Sequence, residues 1–303
     1  MIKIAVFNQK GGTAKTTSVF NIAGFLAKEH KKKVLVVDGD PQANSSKAFL
    51  IENINVFQKN NNGGNFFQKN PTIVDILEGN NNVNEAIYKA AIKIRERYDG
   101  KWRGIDILPT KRSMSAVELK SDYDIKNIID SIKRNKKRTY NYDFVLFDCP
   151  PYLSDFTINI LAACDYVLVP ASADMDSLDG FSELLETIEG LHEKGINTHL
   201  EVLGIYITMI KANESFDKYV YNECKMNIGE KFMRIPIRRD TSAKQASSVG
   251  VPLCWYKQTS NAAKDYRLLT YDILKRLNLL SEEDKKYTEE SINTFIDKYK
   301  LED

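Results

Sequence analysis

Six short apolar runs recur along the chain: "IKIAVF" (2–7), "KVLVVD" (33–38), "GIDILP" (104–109), "DFVLFD" (143–148), "DYVLVP" (165–170) and "LEVLGIYIT" (200–208). They are nearly continuous in Val, Ile and Leu instead of alternating with polar residues, which is the pattern of parallel strands covered on both faces. Between the first two, Val19, Ile22, Ala23 and Leu26 recur at i, i+3, i+4 and i+7, which predicts a crossover helix. Residues 2–38 therefore read as a βαβ unit. The fold class expected is α/β: a doubly wound, mostly parallel sheet with helices on both faces.

One stretch breaks the rhythm. Residues 51–70 are rich in Asn, contain Gly63–Gly64 and hold no sustained period, so they read as a surface insertion. Helical patterns follow at 72–78, with Thr72 as N-cap, and at 83–96. No internal repeat and no linker divide the chain. The expectation is a single domain over 1–280, with the insertion at about 51–70, and a helical C-terminal extension over 281–303.

Composition narrows the class. Of 303 residues, 43% are hydrophobic and 28% charged, the balance of a soluble globular protein. No apolar run approaches the roughly 18 residues of a membrane span, and "MIKIAVF" lacks signal-peptide anatomy, so a cytoplasmic location is expected. Cys149, Cys164, Cys224 and Cys254 form no C-x-x-C pair and read as ordinary reduced thiols. A net charge of +2 means that any nucleic-acid binding must come from local patches.

The candidate chemistry lies in "NQKGGTAKTTS" (8–18). Against the phosphate-loop pattern G-x-x-x-x-G-K-[ST], Gln9 and Ala14 stand at the two glycine positions, and Lys10 is a lysine in excess of Lys15. The context is still that of a phosphate cradle: a strand before, small residues between, and a helix N-terminus after, so that backbone N–H groups converge on an anion. Gly11, Gly12, Thr13 and Ala14 form the turn, where Ala14 is tolerable if its φ is negative and its methyl group tightens the loop. Lys15 would reach the β- and γ-phosphates, Thr16 would ligate magnesium, and Thr17 would donate to the α-phosphate. Two carboxylate sites fall where a nucleotide site needs them, at the carboxyl ends of strands: Asp38 and Asp40 in "VLVVDGDPQANSS", and Asp148 in "YDFVLFDCPP".

Together, "KGGTAKTT" (10–17), "DGDPQAN" (38–44) and "FDCPP" (147–151) resemble the ParA family of partition ATPases, in the deviant Walker A class of P-loop NTPases that also holds MinD and the nitrogenase iron protein. The resemblance continues through "DSLDGFSELLETIE" (176–189), "GIYITM" (204–209) and "IPIRRDTSAKQASSVGVPL" (235–253). It implies ATP and Mg2+ as cofactors and a homodimer formed on ATP binding, in which Lys10 crosses to the partner's nucleotide. By the same resemblance Lys15 grips the terminal phosphates, Thr16 binds magnesium, Asp148 holds a magnesium-bound water, Asp40 orients the attacking water, and Asp38 is structural. Thr208, Met209 and the "IPIRR" loop, with Pro236 and Arg239, are assigned to the adenine side. Three positions depart from the family: Ala14 replaces a glycine, Arg238 a proline and Gln245 a glutamate.

Features outside the phosphate site separate the relatives. The iron protein needs cluster-ligating cysteines, which this chain lacks, and the tail holds only Tyr287 and Tyr299 where the tyrosine kinases of the class carry a cluster. MinD-like proteins end in a basic amphipathic helix. Here "SINTFIDKYKLED" offers Ile292, Phe295, Ile296 and Tyr299, but Asp297, Glu302 and Asp303 stand beside them, and an anionic membrane would repel these. Packing on the body of the protein or on a partner helix is expected instead. For a ParA the expected surface is non-specific DNA, with a ParB-like centromere-binding protein as the stimulating partner and a nucleoid-associated location. Basic candidates are Arg238, Arg239, Lys244, Lys257, Lys264, Arg267, Lys275, Arg276 and the cluster "KRNKKR" (133–138). No helix-turn-helix precedes the first strand, so operator-specific repression is not expected. The alternative reading is a MinD-like or cargo-positioning ATP-gated module.

Overall fold

A computed structural model describes residues 1–61, 64–90, 97–98, 101–102, 104–133, 141–174 and 177–301. The strands are β1 (Ile2–Val6), β2 (Lys33–Asp38), β3 (Tyr88–Lys89), β4 (Arg97–Tyr98), β5 (Lys101–Trp102), β6 (Gly104–Leu108), β7 (Phe144–Asp148), β8 (Tyr166–Ser172), β9 (Glu201–Ile210) and β10 (Ile237–Arg238). Helices α1 (Lys15–Lys28), α2 (Asn44–Phe49), α3 (Ile51–Asn60), α4 (Phe66–Lys69), α5 (Ile73–Leu77), α6 (Val83–Ala86) and α7 (Asp124–Lys133) lie in the first half. The second half adds α8 (Asp155–Ala163), α9 (Ser177–Glu193), α10 (Ser215–Ile228), α11 (Thr241–Ser248), α12 (Leu253–Tyr256), α13 (Asn261–Arg276) and α14 (Glu282–Tyr299).

Eight strands form one sheet in the order β10-β9-β8-β1-β7-β2-β6-β3, and β4 and β5 make a separate antiparallel pair. Every pairing in the large sheet is parallel except β3 with β6 at the edge. The expected doubly wound, mostly parallel α/β sheet is therefore what the chain forms. All six apolar runs are strands, and β2, β6, β7 and the last three residues of β1 are buried almost throughout, which is why their sequences lack alternation.

The register positions the site. Val6 pairs with Asp148 across β1–β7, and Asp38 pairs with Asp148 across β2–β7. The loops that leave β1, β2 and β7 therefore emerge side by side at the carboxyl edge of the sheet. Helix α1 returns along the sheet with most of its residues buried and packs against α13. At Gly24 an added Cβ would lie 2.6 Å from Pro252 Cβ, so this close approach of α1 to the 252–254 segment needs glycine.

Several local expectations change. The helix predicted over 83–96 is helical only over Val83–Ala86; it is followed by β3, and residues 91–96 lie outside the described residues. The Asn-rich stretch is exposed over much of its length, yet it contains α3 and α4. Its anchors are few and widely spaced: Ile54 is half-buried, and Phe66 is buried with its ring 5.7 Å from Tyr88. So sparse a pattern gives no readable period. Thr72 does cap α5, through a capping box in which its N and Oγ1 both donate to Asp75 Oδ2 at 2.8 Å. The C-terminal stripe packs on the body: Thr288, Ile292, Phe295 and Ile296 of α14 are buried, and α14 rests on α13. Arg238 stacks between Phe295 and Tyr299, 5.0 and 4.9 Å from the ring centroids.

Candidate nucleotide site

The loop between β1 and α1 is stapled from within. Asn8 is buried, donates from Nδ2 to Pro170 O at 2.9 Å, and accepts from Lys10 N at 2.8 Å. Thr208 Oγ1 donates to Thr13 O at 3.2 Å and lies 3.1 Å from Ala171 O, so its hydroxyl is a strut under the loop. The turn into α1 takes two left-handed residues, Gly12 at φ 78° and Ala14 at φ 62°. The condition of negative φ at Ala14 is not met. The loop must reverse immediately before the helix, and the cost is the Cβ–carbonyl crowding of a left-handed L-residue, about 1–2 kcal/mol. Ala14 occupies the N-cap position and offers no side-chain cap, which leaves the first N–H groups of α1 to an incoming anion.

Around this turn lies a cavity of about 230 Å³ lined by Gly11, Gly12, Thr13, Ala14, Lys15, Thr16, Thr17, Asp40, Asn44 and Pro151. The loop residues and Asp40 singled out in the sequence thus converge. Lys15 is buried and folds back on its own loop, with Nζ 3.0 Å from Asn8 O and 2.9 Å from Lys10 O. Burial lowers its pKa, while Asp148, Cys149 and Asp40 pull it back up. Lys10 is held differently, in an ion pair of 2.8 Å with Asp174, whose other oxygen accepts from Ser172 Oγ at 2.7 Å. Asp40 Oδ1 accepts from Gln42 N at 2.9 Å.

Behind the cavity sit two buried carboxylates. Asp38 Oδ2 accepts from Ser46 N at 2.7 Å and Ser46 Oγ at 2.6 Å, and its Oδ1 from Asp40 N at 3.1 Å. Asp148 Oδ2 accepts from Ser45 Oγ at 2.7 Å, while its Oδ1 is buried with no hydrogen-bond partner. Burial raises the pKa of both, and Asp148 raises that of Asp38 further. The Ser45 and Thr16 hydroxyls and the Lys15 charge oppose the rise at Asp148. An orphaned carboxylate oxygen beside a threonine hydroxyl suits Mg2+, which is commonly bound by one or two carboxylates, waters and substrate phosphates. Among the described residues no cluster of three or more His, Cys, Asp or Glu could hold a metal by itself.

The remaining residues assigned in the sequence lie apart from this cavity. Met209 is in the left-handed region at φ 58° and partly exposed, and Pro236 is buried just before β10. Arg239 is exposed, donates its N–H to Ile210 O at 3.0 Å, and lines a separate cavity of about 390 Å³ with Lys211, Arg238, Asn261 and Tyr299. The basic candidates also divide. Arg238 binds Asp265, Arg267 binds Glu29, Lys275 binds Glu289, and Arg276 binds Asp272 and the carbonyls of Leu203, Glu230 and Phe232. Arg239, Lys244, Lys257 and Lys264 stay exposed and have no side-chain ion pair among the described residues. Of "KRNKKR" only Lys133, the last residue of α7, is described; the rest lies outside the described residues. Ser45, Ser46 and Asp174 were missed from the sequence. The two serines stood in the quoted run after Asp40, where hydroxyls in the first turn of a helix could have been matched to the neighbouring carboxylates.

A buried lysine wrapped in its own loop, over a carboxylate from the adjacent strand, is an arrangement for receiving phosphate, and with this sheet it defines a P-loop nucleotide-binding protein. Residues 1–202 match the family model described as an AAA domain. The chain is 30% identical over 279 residues to the chromosome-partitioning ATPase Soj of Treponema pallidum, covering 91% of this chain and 98% of that protein. It is also 30% identical over 276 residues to the sporulation initiation inhibitor protein Soj of Bacillus subtilis, covering 89% and 97%. The chain belongs to the ParA/Soj family of chromosome-partitioning ATPases. Its fold is similar to that of a putative plasmid partition protein from Borrelia burgdorferi bound to AMPPNP, with a TM-score of 0.69 at 20% identity, covering 91% of this chain and 98% of that one.

Proposed function

We propose that the chain is a DNA-partition ATPase whose ATP-bound form closes into a sandwich dimer and binds DNA without sequence preference. The observation that carries this is the unequal treatment of the two loop lysines. Lys15 is buried on loop carbonyls, whereas the Lys10 side chain is 36% exposed and held at the loop's edge by Asp174. One lysine serves the chain's own phosphates, and the other, paired with Asp174 at the loop's edge, would exchange its present partners for a second chain's phosphates when the dimer closes.

In this reading the α1 N–H groups and the Lys15 ammonium receive the phosphates, Lys15 exchanging two loop carbonyls for phosphate oxygens. Thr16 and Asp148, the latter through water, would hold Mg2+, which when bound offsets phosphate charge. Asp40 orients the attacking water. Met209, Pro236 and Arg239 are assigned to the adenine side, with Thr208 bracing the loop. No strong general base lines the cavity, so unstimulated turnover is slow and a ParB-like partner accelerates it. Lys244, Lys257 and Lys264 supply the exposed cations for phosphate contacts, doubled in a dimer, in a cytoplasmic, nucleoid-associated protein. The α14 stripe is buried in its own chain, which speaks against a MinD-like anchor.

The test is co-sedimentation with nonspecific duplex DNA and, separately, anionic liposomes, each with ATP, ADP and no nucleotide at low salt. Capture by DNA with ATP alone supports the reading. Capture by liposomes moves the protein to the MinD side, and ATP-driven dimerisation without either favours a cargo-positioning module.

A further inference from the structure

Two consecutive serines lie in the first turn of α2, and each holds one of two carboxylates that are register partners on adjacent strands. Ser46 serves Asp38: its N and Oγ both donate to Oδ2, at 2.7 and 2.6 Å, and the same hydroxyl accepts from Thr110 N at 3.1 Å. Ser45 serves Asp148, donating from Oγ to Oδ2 at 2.7 Å. All four side chains are fully buried. The remaining oxygen, Asp148 Oδ1, has no partner.

A carboxylate with one oxygen tied to a fixed donor and the other buried and unpaired awaits a donor from outside the protein. The two oxygens are chemically equivalent until something tells them apart, and rotation about the Cβ–Cγ bond would exchange them. The Ser45 hydrogen bond at 2.7 Å distinguishes them here, and the Thr16 hydroxyl and the Lys15 charge act on the same carboxylate. We propose that Ser45 is a positioning residue for the magnesium site, locking the Asp148 carboxylate so that Oδ1 remains the acceptor for a magnesium-bound water. This rests on the reading of the loop as a Mg-nucleotide site. Ser45 also lies five residues after Asp40 on the segment leaving β2. The same hydrogen bond therefore ties the segment carrying the water-orienting aspartate to the metal-side carboxylate.

The test titrates Mg2+ against binding of a fluorescent, non-hydrolysable ATP analogue to the full chain, comparing the parent with Ser45→Ala and Ser46→Ala, and repeats binding in EDTA. Ser45→Ala should raise the Mg2+ concentration for half-saturation about 10-fold, as lost outer-shell support does at metal sites, and should leave affinity in EDTA within about twofold. Ser46→Ala removes an equally buried hydroxyl that serves Asp38. It should lower thermal stability while shifting the Mg2+ half-saturation less than the Ser45 change does. Equal shifts in the two variants, or no shift in Ser45→Ala, overturn the proposal. If Ser45→Ala does not fold, Ser45→Cys, similar in size with a weaker donor, must give an intermediate shift; none would overturn it too. A parent that binds nucleotide without responding to Mg2+ refutes the magnesium site, and the serine assignment falls with it; a parent that binds no nucleotide refutes the nucleotide-site reading itself.

Discussion

Replacing Arg238 by Ala tests how α14 is held. The guanidinium makes three contacts with the Asp265 carboxylate, at 2.6–3.2 Å from Nε and Nη2, and its side chain is 10% exposed against 0% for Asp265. It also stacks on Phe295 and Tyr299 and bonds the Tyr299 hydroxyl. Removing one member of such a buried pair strands the other charge, at about 3–5 kcal/mol, and the lost stacking adds about 1 kcal/mol. The loss should depend on pH. Burial raises the Asp265 pKa and Arg238 opposes the rise, so in the variant burial acts unopposed. A carboxylate whose folded pKa lies above its unfolded value of about 3.9 destabilises progressively as pH rises through the folded pKa. The variant should therefore lie closest to the parent near pH 4 and furthest from it near pH 7. Urea unfolding followed by circular dichroism at both pH values reads this directly. Arg238→Leu with Asp265→Asn removes both charges and keeps an acceptor for the residue 238 amide, which donates to Asp265 at 2.9 Å; it should be more stable than Arg238→Ala alone. A loss under about 1 kcal/mol at pH 7, or equal losses at both pH values, would refute the reasoning.

Ala14→Gly removes the left-handed strain at φ 62°; net of glycine's greater unfolded-state freedom it should stabilise by about 0.5–1 kcal/mol in urea unfolding. His30 is half-buried, with its Nε2 buried and unpartnered and its ring 4.6 Å from Tyr271, and burial lowers its pKa from 6.5 to about 4. Below pH 6.5 the unfolded chain takes up a proton that the folded chain refuses, so about 3 kcal/mol is lost as pH falls to 4. His30→Phe should flatten the melting temperature across that window. Replacing Lys244, Lys257 and Lys264 by Ala should leave the fold intact and flatten the salt dependence of DNA binding, by about 0.9 in slope for each phosphate contact removed; an unchanged slope would place DNA elsewhere.

The central sheet was legible because burial on both faces writes itself as unbroken Val, Ile and Leu, and the six runs match strands to within one or two residues. The edge strands Tyr88–Lys89 and Ile237–Arg238 are two residues long, too short for any period. That Lys15, Thr16 and Asp40 would lie together was legible because the turn into α1 and the carboxyl end of β2 meet at one edge of the sheet; their roles toward phosphate and magnesium belong to the proposal. The conformation of Ala14 was not legible, since spacing does not report a dihedral. Nor was the division among the basic residues. Arg267 meets Glu29 and Arg238 meets Asp265 only through the fold, so charges that look alike in the sequence differ in what they have left to give.

The most direct measurement is sedimentation of Lys10→Ala and Asp40→Ala with and without ATP. Lys10→Ala should stay monomeric with ATP, while Asp40→Ala should form a stable ATP-dependent dimer that does not turn over. A Lys10→Ala protein that still dimerises with ATP, or an Asp40→Ala protein that hydrolyses it normally, would contradict the account.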